Sequence, residues 1–191
     1  MDKTSYWPGL KVVIVNGRPG SGKTLFERYC QELLGTSMCK IRSSIDRIKE
    51  IAIQSGWNGI KDERGRWFLS ELKRITTEYN DLPLMDIVEV IVNWFNTLTS
   101  DSDRQMLRIL FVDIREPEEI KKFVDFFNAT TVFVMRPDAK PIDSNAADSN
   151  VMNYTYDYII NNDKTPEDLK LEALKFINLL REEVDHERNC C

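Results

Sequence analysis

The segment GRPGSGKT at residues 17 to 24 places glycines, a lysine and a threonine at the spacing GxxxxGK[ST]. Glycines let the backbone pass close to a chain of phosphates, and amides at the start of a helix attract its negative charge. Lys23 would then contact the β- and γ-phosphates, and the Thr24 hydroxyl would coordinate Mg²⁺. The segment therefore predicts a phosphate-binding loop (P-loop) for ATP and Mg²⁺. Its expected ATP-binding residues are Gly17, Pro19, Gly20, Ser21, Gly22, Lys23 and Thr24.

An acid and an arginine form a second constellation, because Asp113 ends the apolar run ILFVD and Arg115 follows two residues later. Residues two apart in a strand point to the same side. In P-loop enzymes an acidic residue after another strand holds Mg²⁺ or orients the acceptor. A helix cap is the alternative role for this aspartate. We expect Asp113 to bind the metal and to act in catalysis with Lys23, Arg115 and Arg136.

Phosphoryl transfer depends on charge neutralisation and alignment, so several arginines should converge on the transferred group. Arg115 and Arg136 follow predicted strands and are the leading candidates. Candidates for binding the acceptor come after another predicted strand: Arg42, Ser44, Asp46 and Arg47. The alternatives are solvated surface arginines and an ordinary helix cap at Ser43 or Ser44.

Apolar runs alternate with stretches of helical periodicity, which indicates the elements that carry these residues. Strands are predicted at 11–16, 38–41, 109–112, 131–135 and 156–160. Helices are predicted at 23–34, 66–79, 84–98, 117–127 and 166–184, with another one capped by Ser43 or Ser44. The glycine-rich stretch 56–65 is predicted to be a loop, and the tail after Asp185 to be disordered.

Strands joined by helical crossovers predict a parallel sheet with helices on both faces. The expected fold class is α/β, a three-layer P-loop NTPase fold with a five-stranded parallel sheet. Ligands of such sheets bind at the carboxyl ends of strands, where Gly17, Asp113 and Arg136 all fall. We expect a single kinase domain over all 191 residues. It would include a helical acceptor-binding region at 43–99 and a lid-like loop at 136–153, which is polar and long for a connection.

Composition limits the possible partners. A net charge of −5, with basic residues spread along the chain, argues against a nucleic-acid track or an anionic membrane surface. The four cysteines lack the spacing of a zinc site or a disulfide framework, and neither a membrane span nor a signal peptide is recognisable. DERG at 62–65 follows no strand and no NKxD occurs, which argues against a GTPase switch. We expect a cytoplasmic monomer or homodimer that acts on a small-molecule nucleotide.

Several segments together resemble the phage-type deoxynucleoside monophosphate kinases and their bacterial relatives within the adenylate-kinase-like P-loop kinases. In chain order they are VVIVNGRPGSGKT, SSIDRIKEIA, GRWFLSELK, TEYNDLP, FVDIREPEEI, VMRPD and DYIINNDKTPEDL. The P-loop alone is shared by many families, whereas the ordered set narrows the choice. The resemblance implies an ATP-dependent enzyme of nucleotide metabolism.

Roles for individual residues are implied by this resemblance. Asp113 and Arg115 match the family's DxR block, which implies a place beside the acceptor phosphate and the metal. Arg136 resembles an arginine of the lid that closes on the phosphates. Two more groups are implied by SSIDRIK and INNDKT: Ser44, Asp46 and Arg47 at the acceptor monophosphate, and Asn162 and Asp163 near the ATP base.

The predicted function is ATP-dependent phosphoryl transfer to a (deoxy)nucleoside monophosphate, giving the diphosphate, with lid closure excluding water. Two alternatives stay open. One is a P-loop kinase of another small acceptor, because acceptor choice lies in a pocket that the sequence does not resolve. The other is a non-catalytic nucleotide-binding regulatory protein that docks a protein partner.

Overall fold

The computed structural model describes residues 7–137 and 154–189, so the lid-like loop predicted at 136–153 lies outside the described residues except for its first two. Five strands are described: β1 Leu10–Asn16, β2 Cys39–Ser43, β3 Arg108–Asp113, β4 Thr130–Met135 and β5 Tyr158–Asn161. Seven helices occur in the same part of the chain: α1 Lys23–Leu34, α2 Asp46–Gln54, α3 Glu63–Asn80, α4 Leu82–Asn96, α5 Asp101–Gln105, α6 Pro117–Phe127 and α7 Pro166–Asn189.

The strands form one sheet in the order β2-β3-β1-β4-β5, with β1 at its centre. β1 runs parallel to β3 and β4, and β4 runs parallel to β5. In this register Val15 pairs with Asp113 and Asn16 pairs with Phe133. The strands therefore end at the same edge of the sheet, and the predicted five-stranded parallel sheet is confirmed.

Helices cover both faces of this sheet because its strands are apolar on both sides. Val13 and Val15 belong to an apolar cluster that includes Phe26 of α1 and Phe176 of α7. The residues between them point to the opposite face, which is the face left for α6, where Ile120 is fully buried. The result is the predicted three-layer α/β architecture. No described helix combines the length and the apolar character needed to cross a membrane.

The described residues divide into two compact units, one of which is Arg42–Thr99. This helical unit contains α2, α3 and α4, and its own apolar cluster is centred on Ile48, Ala52 and Leu69. The other unit contains the P-loop segment, the helices α1, α5, α6 and α7, and the sheet except for the last two residues of β2. Each unit thus has an apolar core of its own.

The start of α2 differs from its prediction. α2 begins at Asp46, and among the described residues no side chain caps it, so the predicted cap at Ser43 or Ser44 is wrong. Ser43 is instead the last residue of β2, and its amide donates to the Asp46 carboxylate at 2.8 Å. β2 therefore ends two residues later than the predicted end at Ile41.

Other element ends were also mispredicted. The stretch 56–65 is not all loop, because Asp62 caps α3 by accepting from the Gly65 amide at 2.7 Å. The closing helix continues to Asn189, so disorder directly after Asp185 is wrong; Lys11 contacts Glu187 near that end at 2.7 Å. The short α5 was not predicted at all.

Candidate nucleotide-binding site

The loop between β1 and α1 contains three glycines with positive φ angles, +147° at Gly17, +78° at Gly20 and +96° at Gly22. A Cβ at Gly17 would lie 2.5 Å from the carbonyl oxygen of Val134, and a Cβ at Gly22 would overlap Nδ2 of Asn162. A Cβ at Gly20 would meet no described atom within 4 Å. Gly17 and Gly22 are therefore required by close contacts with the Val134 backbone and the Asn162 side chain, and their predicted role in binding phosphates stays a prediction.

The start of α1 suits an anion. α1 begins at Lys23, directly after the left-handed Gly22, and no side chain in the described part of the chain caps it. No acidic residue stands in its first turn. Amides at such a helix start bind anions because their N–H groups and the helix dipole both favour negative charge. Lys23 Nζ donates to the carbonyl oxygen of Gly17 at 2.5 Å, which places the lysine charge beside the loop.

Ser21 adds an unused hydroxyl to this loop. Its side chain is 1% exposed, and its Oγ has no hydrogen-bond partner among residues 7–137 and 154–189. Its amide donates to the carbonyl oxygen of Arg18 at 3.0 Å, which closes the turn. An unpartnered buried hydroxyl costs roughly 1–3 kcal/mol. A phosphate oxygen in the loop would accept the hydrogen bond that Ser21 lacks.

Asn162 ties the end of β5 to the loop. Its Nδ2 donates to the carbonyl oxygen of Ser21 at 2.8 Å, and its own amide donates to the carbonyl oxygen of Met135 at 2.8 Å. The side chain is buried, whereas the neighbouring Asp163 is exposed. The structure thus assigns Asn162 a contact with the P-loop, and the roles of Asn162 and Asp163 near the ATP base stay predictions.

Two carboxyl groups accompany Lys23. Glu27, one turn further along α1, is 1% exposed, and neither of its oxygens has a hydrogen-bond partner within the described ranges. Burial raises the pKa of Glu27 to about 8; the charge of Asp113 acts in the same direction and that of Lys23 against it. Glu27 is therefore largely protonated at neutral pH. Asp113, at the end of β3, is the partly exposed carboxylate.

The predicted catalytic arginines follow the strands on either side of β1. Arg115 comes two residues after β3 and Arg136 comes directly after β4, and both are exposed. Pairing of β1 with β3 and β4 places these residues at the sheet edge where the P-loop begins. Thr24 and Pro19 are exposed as well. The structure therefore brings the donor-site residues to one edge, with accessible side chains.

The arginines predicted to bind the acceptor lie in the helical unit and are paired with acids. Arg42 Nη2 lies 3.3 Å from Asp86 Oδ2 and 4.0 Å from Glu50 Oε1. Arg47 Nη1 lies 2.9 Å from Glu50 Oε2. Burial raises the pKa of Asp86, although the charge of Arg42 opposes this shift. Both guanidinium groups thus have carboxylate partners within their own unit.

The other two predicted acceptor residues belong to the same turn. Asp46 accepts from the Ser43 amide at 2.8 Å and from Lys49 Nζ at 2.9 Å. Burial would raise the pKa of Asp46, but these hydrogen bonds outweigh it and lower the pKa. Ser44 is only 5% exposed. The predicted roles of Ser44 and Asp46 at an acceptor stay predictions.

Mg²⁺ fits this donor set as a shared ion. Among residues 7–137 and 154–189 no group of three or more His, Cys, Asp or Glu side chains could hold a metal. Mg²⁺ is usually bound by one or two protein oxygens together with substrate phosphates and waters, so a full protein cage is not needed. The Thr24 hydroxyl and the Asp113 carboxylate provide two such oxygens.

Three polar residues of this region were not predicted from the sequence: Asn16, Glu27 and Tyr156. Asn16 is a polar residue at the end of the otherwise apolar KVVIVN run, and it is fully buried. Glu27 stands between buried positions of α1, among them Phe26. A polar residue on an apolar face was the available signal in both cases. No local signal marked Tyr156, because its hydroxyl accepts from Nδ2 of Asn16, a residue 140 positions away, at 2.9 Å.

Comparisons with known proteins give similarity of structure only. No protein-family profile matches the sequence, and no curated protein is significantly similar to it. Dephospho-CoA kinase from Campylobacter jejuni is 15% identical over 91% of this chain and 98% of its own, with a TM-score of 0.47. Thymidylate kinase from Ehrlichia chaffeensis is 13% identical over 89% and 100%, with a TM-score of 0.45. Shikimate kinase from Acinetobacter baumannii, in complex with shikimate, is 14% identical over 94% and 98%, with a TM-score of 0.43. Similarity of this degree transfers no function, which must come from the residues themselves.

Proposed function

We propose that this protein transfers the γ-phosphoryl group of ATP to a small acceptor, and that the acceptor is a (deoxy)nucleoside monophosphate. The observation that carries the proposal is the P-loop. It combines an uncapped helix start, Lys23 beside the loop, and the buried Ser21 hydroxyl without a described partner. A triphosphate supplies the anionic oxygens that these groups can bind.

Each donor-site residue has a role in this proposal. Lys23 would exchange the Gly17 carbonyl oxygen for the β- and γ-phosphates. Thr24 and Asp113 would hold Mg²⁺, which neutralises charge on the phosphate oxygens when it is bound. Arg115 and Arg136 would neutralise the charge that develops on the transferred group.

The acceptor monophosphate is proposed to bind in the helical unit at Arg42, Ser44, Asp46 and Arg47. The support is the resemblance of SSIDRIK to the monophosphate-binding segment of the phage-type deoxynucleoside monophosphate kinases. Because Arg42 and Arg47 are paired with carboxylates, a phosphate would have to replace Asp86 and Glu50. Bidentate arginine–phosphate pairs are strong enough for such an exchange. The proposed setting is the cytoplasm, with a monomer or homodimer as the active form.

A coupled assay of ADP release tests this proposal directly. The protein is incubated with ATP and Mg²⁺ and a panel of ribo- and deoxynucleoside monophosphates, nucleosides and small hydroxylated acids. At least one monophosphate should raise ADP release well above the acceptor-free rate and appear as the diphosphate. Lys23→Met should lower this rate about 10²- to 10³-fold. Lys170→Met is the matched control, because that exposed lysine pairs with Glu32 on the helix surface and should keep the full rate.

Two other outcomes of the assay would contradict the proposal. Stimulation only by a nucleoside or a hydroxylated acid would identify a kinase of another small acceptor. Tight binding of Mg²⁺–ATP without stimulation by any compound would identify a nucleotide-binding regulatory protein. Thermal stabilisation by a monophosphate separates the proposed function from both of these cases, because only a protein with an acceptor site for the monophosphate is stabilised by it.

A further inference from the structure

Asn16, the last residue of β1, contacts two other segments besides the P-loop residue that follows it. Its side chain is fully buried. Its Oδ1 accepts from the amide of Gly17 at 2.8 Å, and its Nδ2 donates to the Tyr156 hydroxyl at 2.9 Å. The same Nδ2 lies 3.5 Å from the carbonyl oxygen of Arg115. One amide group thus joins the first P-loop residue, the segment after β3 and the segment before β5.

The chemistry of the partners fixes the orientation of this amide. The Gly17 amide can only donate and the Arg115 carbonyl oxygen can only accept, so Oδ1 must face the former and Nδ2 the latter. A flipped amide would oppose two donors on one side and two acceptors on the other. The Tyr156 hydroxyl accepts from Nδ2 in the orientation that satisfies both backbone groups.

Aromatic packing holds the Tyr156 hydroxyl in place. Its ring lies 5.1 Å from the Phe133 ring and 5.1 Å from the Tyr154 ring, measured between centroids. Burial raises the pKa of Tyr156 to about 12, so its hydroxyl keeps its proton at the pH of an assay. The hydroxyl is therefore a fixed, neutral partner for Asn16.

We propose that Asn16 and Tyr156 are positioning residues of the nucleotide site. The Asn16 side chain fixes the position of the Gly17 amide relative to the Arg115 carbonyl group. Tyr156 in turn holds the Asn16 side-chain amide in the required orientation. The inference rests on the proposed function, because Arg115 matters to catalysis only if a phosphoryl group is transferred. It predicts an effect on turnover more than on ATP binding, since loss of the tyrosine hydroxyl loosens the Gly17 amide through Asn16 and leaves Lys23 and the start of α1 unchanged.

Tyr156→Phe removes the hydroxyl and keeps the ring. Loss of one hydrogen bond of ordinary net strength corresponds to about a fivefold effect. We expect kcat to fall about fivefold while KM for ATP changes less than about twofold. Solvent exchange of the Gly17 amide, followed by NMR without any nucleotide, should become about fivefold faster.

Tyr158→Phe is the matched control. Tyr158 is also partly buried and packs on Phe176, but its hydroxyl donates to Glu183 of α7 at 3.2 Å. It should lower the melting temperature about as much as Tyr156→Phe and leave kcat and Gly17 exchange unchanged. A merely structural role for Tyr156 would make the two variants alike in all measurements, and that result would overturn the inference.

Asn16→Asp isolates the Arg115 contact. Burial favours the protonated form of the new carboxyl group, so the variant is assayed across a range of pH. Once ionised, the carboxylate can accept from the Gly17 amide and from the Tyr156 hydroxyl, but it repels the Arg115 carbonyl oxygen. We expect kcat to fall about tenfold with Gly17 exchange within about twofold of wild type. Unchanged kcat in this variant would also overturn the inference. If the wild-type protein transfers phosphate to no acceptor, the proposed function fails, and Gly17 exchange in Tyr156→Phe still decides whether Tyr156 orients Asn16.

Discussion

The P-loop region and the helical unit Arg42–Thr99 differ in the burial and the pairing of their polar side chains. Around the P-loop, Ser21 and Glu27 are both 1% exposed and hold atoms without described hydrogen-bond partners. In the helical unit, Arg42 and Arg47 are more exposed and their terminal guanidinium nitrogens are paired with carboxylates, although Arg42 Nε has no described hydrogen-bond partner. The first region is arranged by backbone and burial before any ligand arrives, whereas the second is a network of exchangeable ion pairs.

This difference bears on the two halves of the proposed reaction, which are ATP binding at the P-loop and acceptor binding in the helical unit. A triphosphate site made of backbone amides, glycines and one lysine leaves little freedom in what it binds. Ion pairs at a partly exposed surface contribute little free energy and exchange readily. An acceptor that binds in the helical unit, as proposed, could therefore be exchanged through substitutions there that leave the P-loop unchanged.

Gly17→Ala should have the largest effect, because it disturbs the close backbone packing of the P-loop. The new Cβ would lie 2.5 Å from a backbone oxygen, which cannot move aside as a side chain could. Together with the unfavourable φ, this overlap should lower the free energy of unfolding of the ligand-free protein by about 4 kcal/mol. Urea unfolding measures the loss. Gly20→Ala, which meets no described atom within 4 Å, should cost about 1 kcal/mol, and equal losses in the two variants would contradict the contrast.

Glu27→Gln tests whether burial controls the protonation of Glu27, the second of the two buried polar groups near the P-loop. The folded pKa of about 8 exceeds the ordinary value of 4.5, so the native protein keeps a proton that the unfolded chain releases between these values. Stability is full below about pH 4.5 and falls as the pH rises toward 8, by about 4 kcal/mol.

Urea unfolding at several pH values checks this slope. Glu27→Gln cannot ionise, so it should remove most of the decline and be more stable than the wild-type protein at pH 8.5. Glu32→Gln, on the exposed side of the same helix, should keep the wild-type slope. A slope that survives in Glu27→Gln would show that another group is responsible.

The Arg42–Asp86 pair sharpens the description of the helical unit. A double-mutant cycle with Arg42→Ala and Asp86→Ala should give a coupling free energy of about 1 kcal/mol, because Arg42 is 29% and Asp86 11% exposed. The coupling should shrink in 1 M salt, where the Debye length is about 3 Å. A salt-independent coupling of about 3 kcal/mol would instead place this pair with the rigid, buried groups.

Arg74→Ala should have the smallest effect. Arg74 pairs with Glu71 and Glu78 on the exposed face of α3, at 3.0 Å and 2.9 Å. Long side chains at the surface gain little from such pairs, because water and salt screen the charges. The melting temperature, measured by calorimetry, should not shift detectably. A loss comparable to that of Arg42→Ala would mean that surface pairing in this unit is stronger than proposed.

Features that depend on local sequence could be predicted, whereas features that depend on contacts between distant segments could not. The P-loop was predictable because its glycine, lysine and threonine positions are local and depend on backbone shape. The sheet was predictable because parallel strands buried on both faces are continuous apolar runs such as KVVIVN. The order β2-β3-β1-β4-β5 was not part of the prediction, since it depends on pairing between distant segments.

Contacts between distant residues account for the rest. Arg42 was predicted to bind an acceptor, but its ion pair with Asp86 joins the end of β2 to α4, two elements that are distant in sequence. The hydrogen bond between Asn16 and Tyr156 joins residues 140 positions apart, so no spacing in the sequence reveals it. Helix ends were missed where one side chain decided them, as Asp62 does for α3.

The central position of β1 has a consequence for biosynthesis. β1 leaves the ribosome before both of its neighbours in the sheet, because Leu10 pairs with Arg108 and Val13 pairs with Thr130. During translation the nascent chain therefore carries an apolar strand with neither neighbour in place, a state that invites aggregation and chaperone binding. The carbonyl group of Val134, against which Gly17 packs, is made later still. A truncated chain that ends before β4 would have the complete GxxxxGK[ST] sequence without the surroundings that shape it.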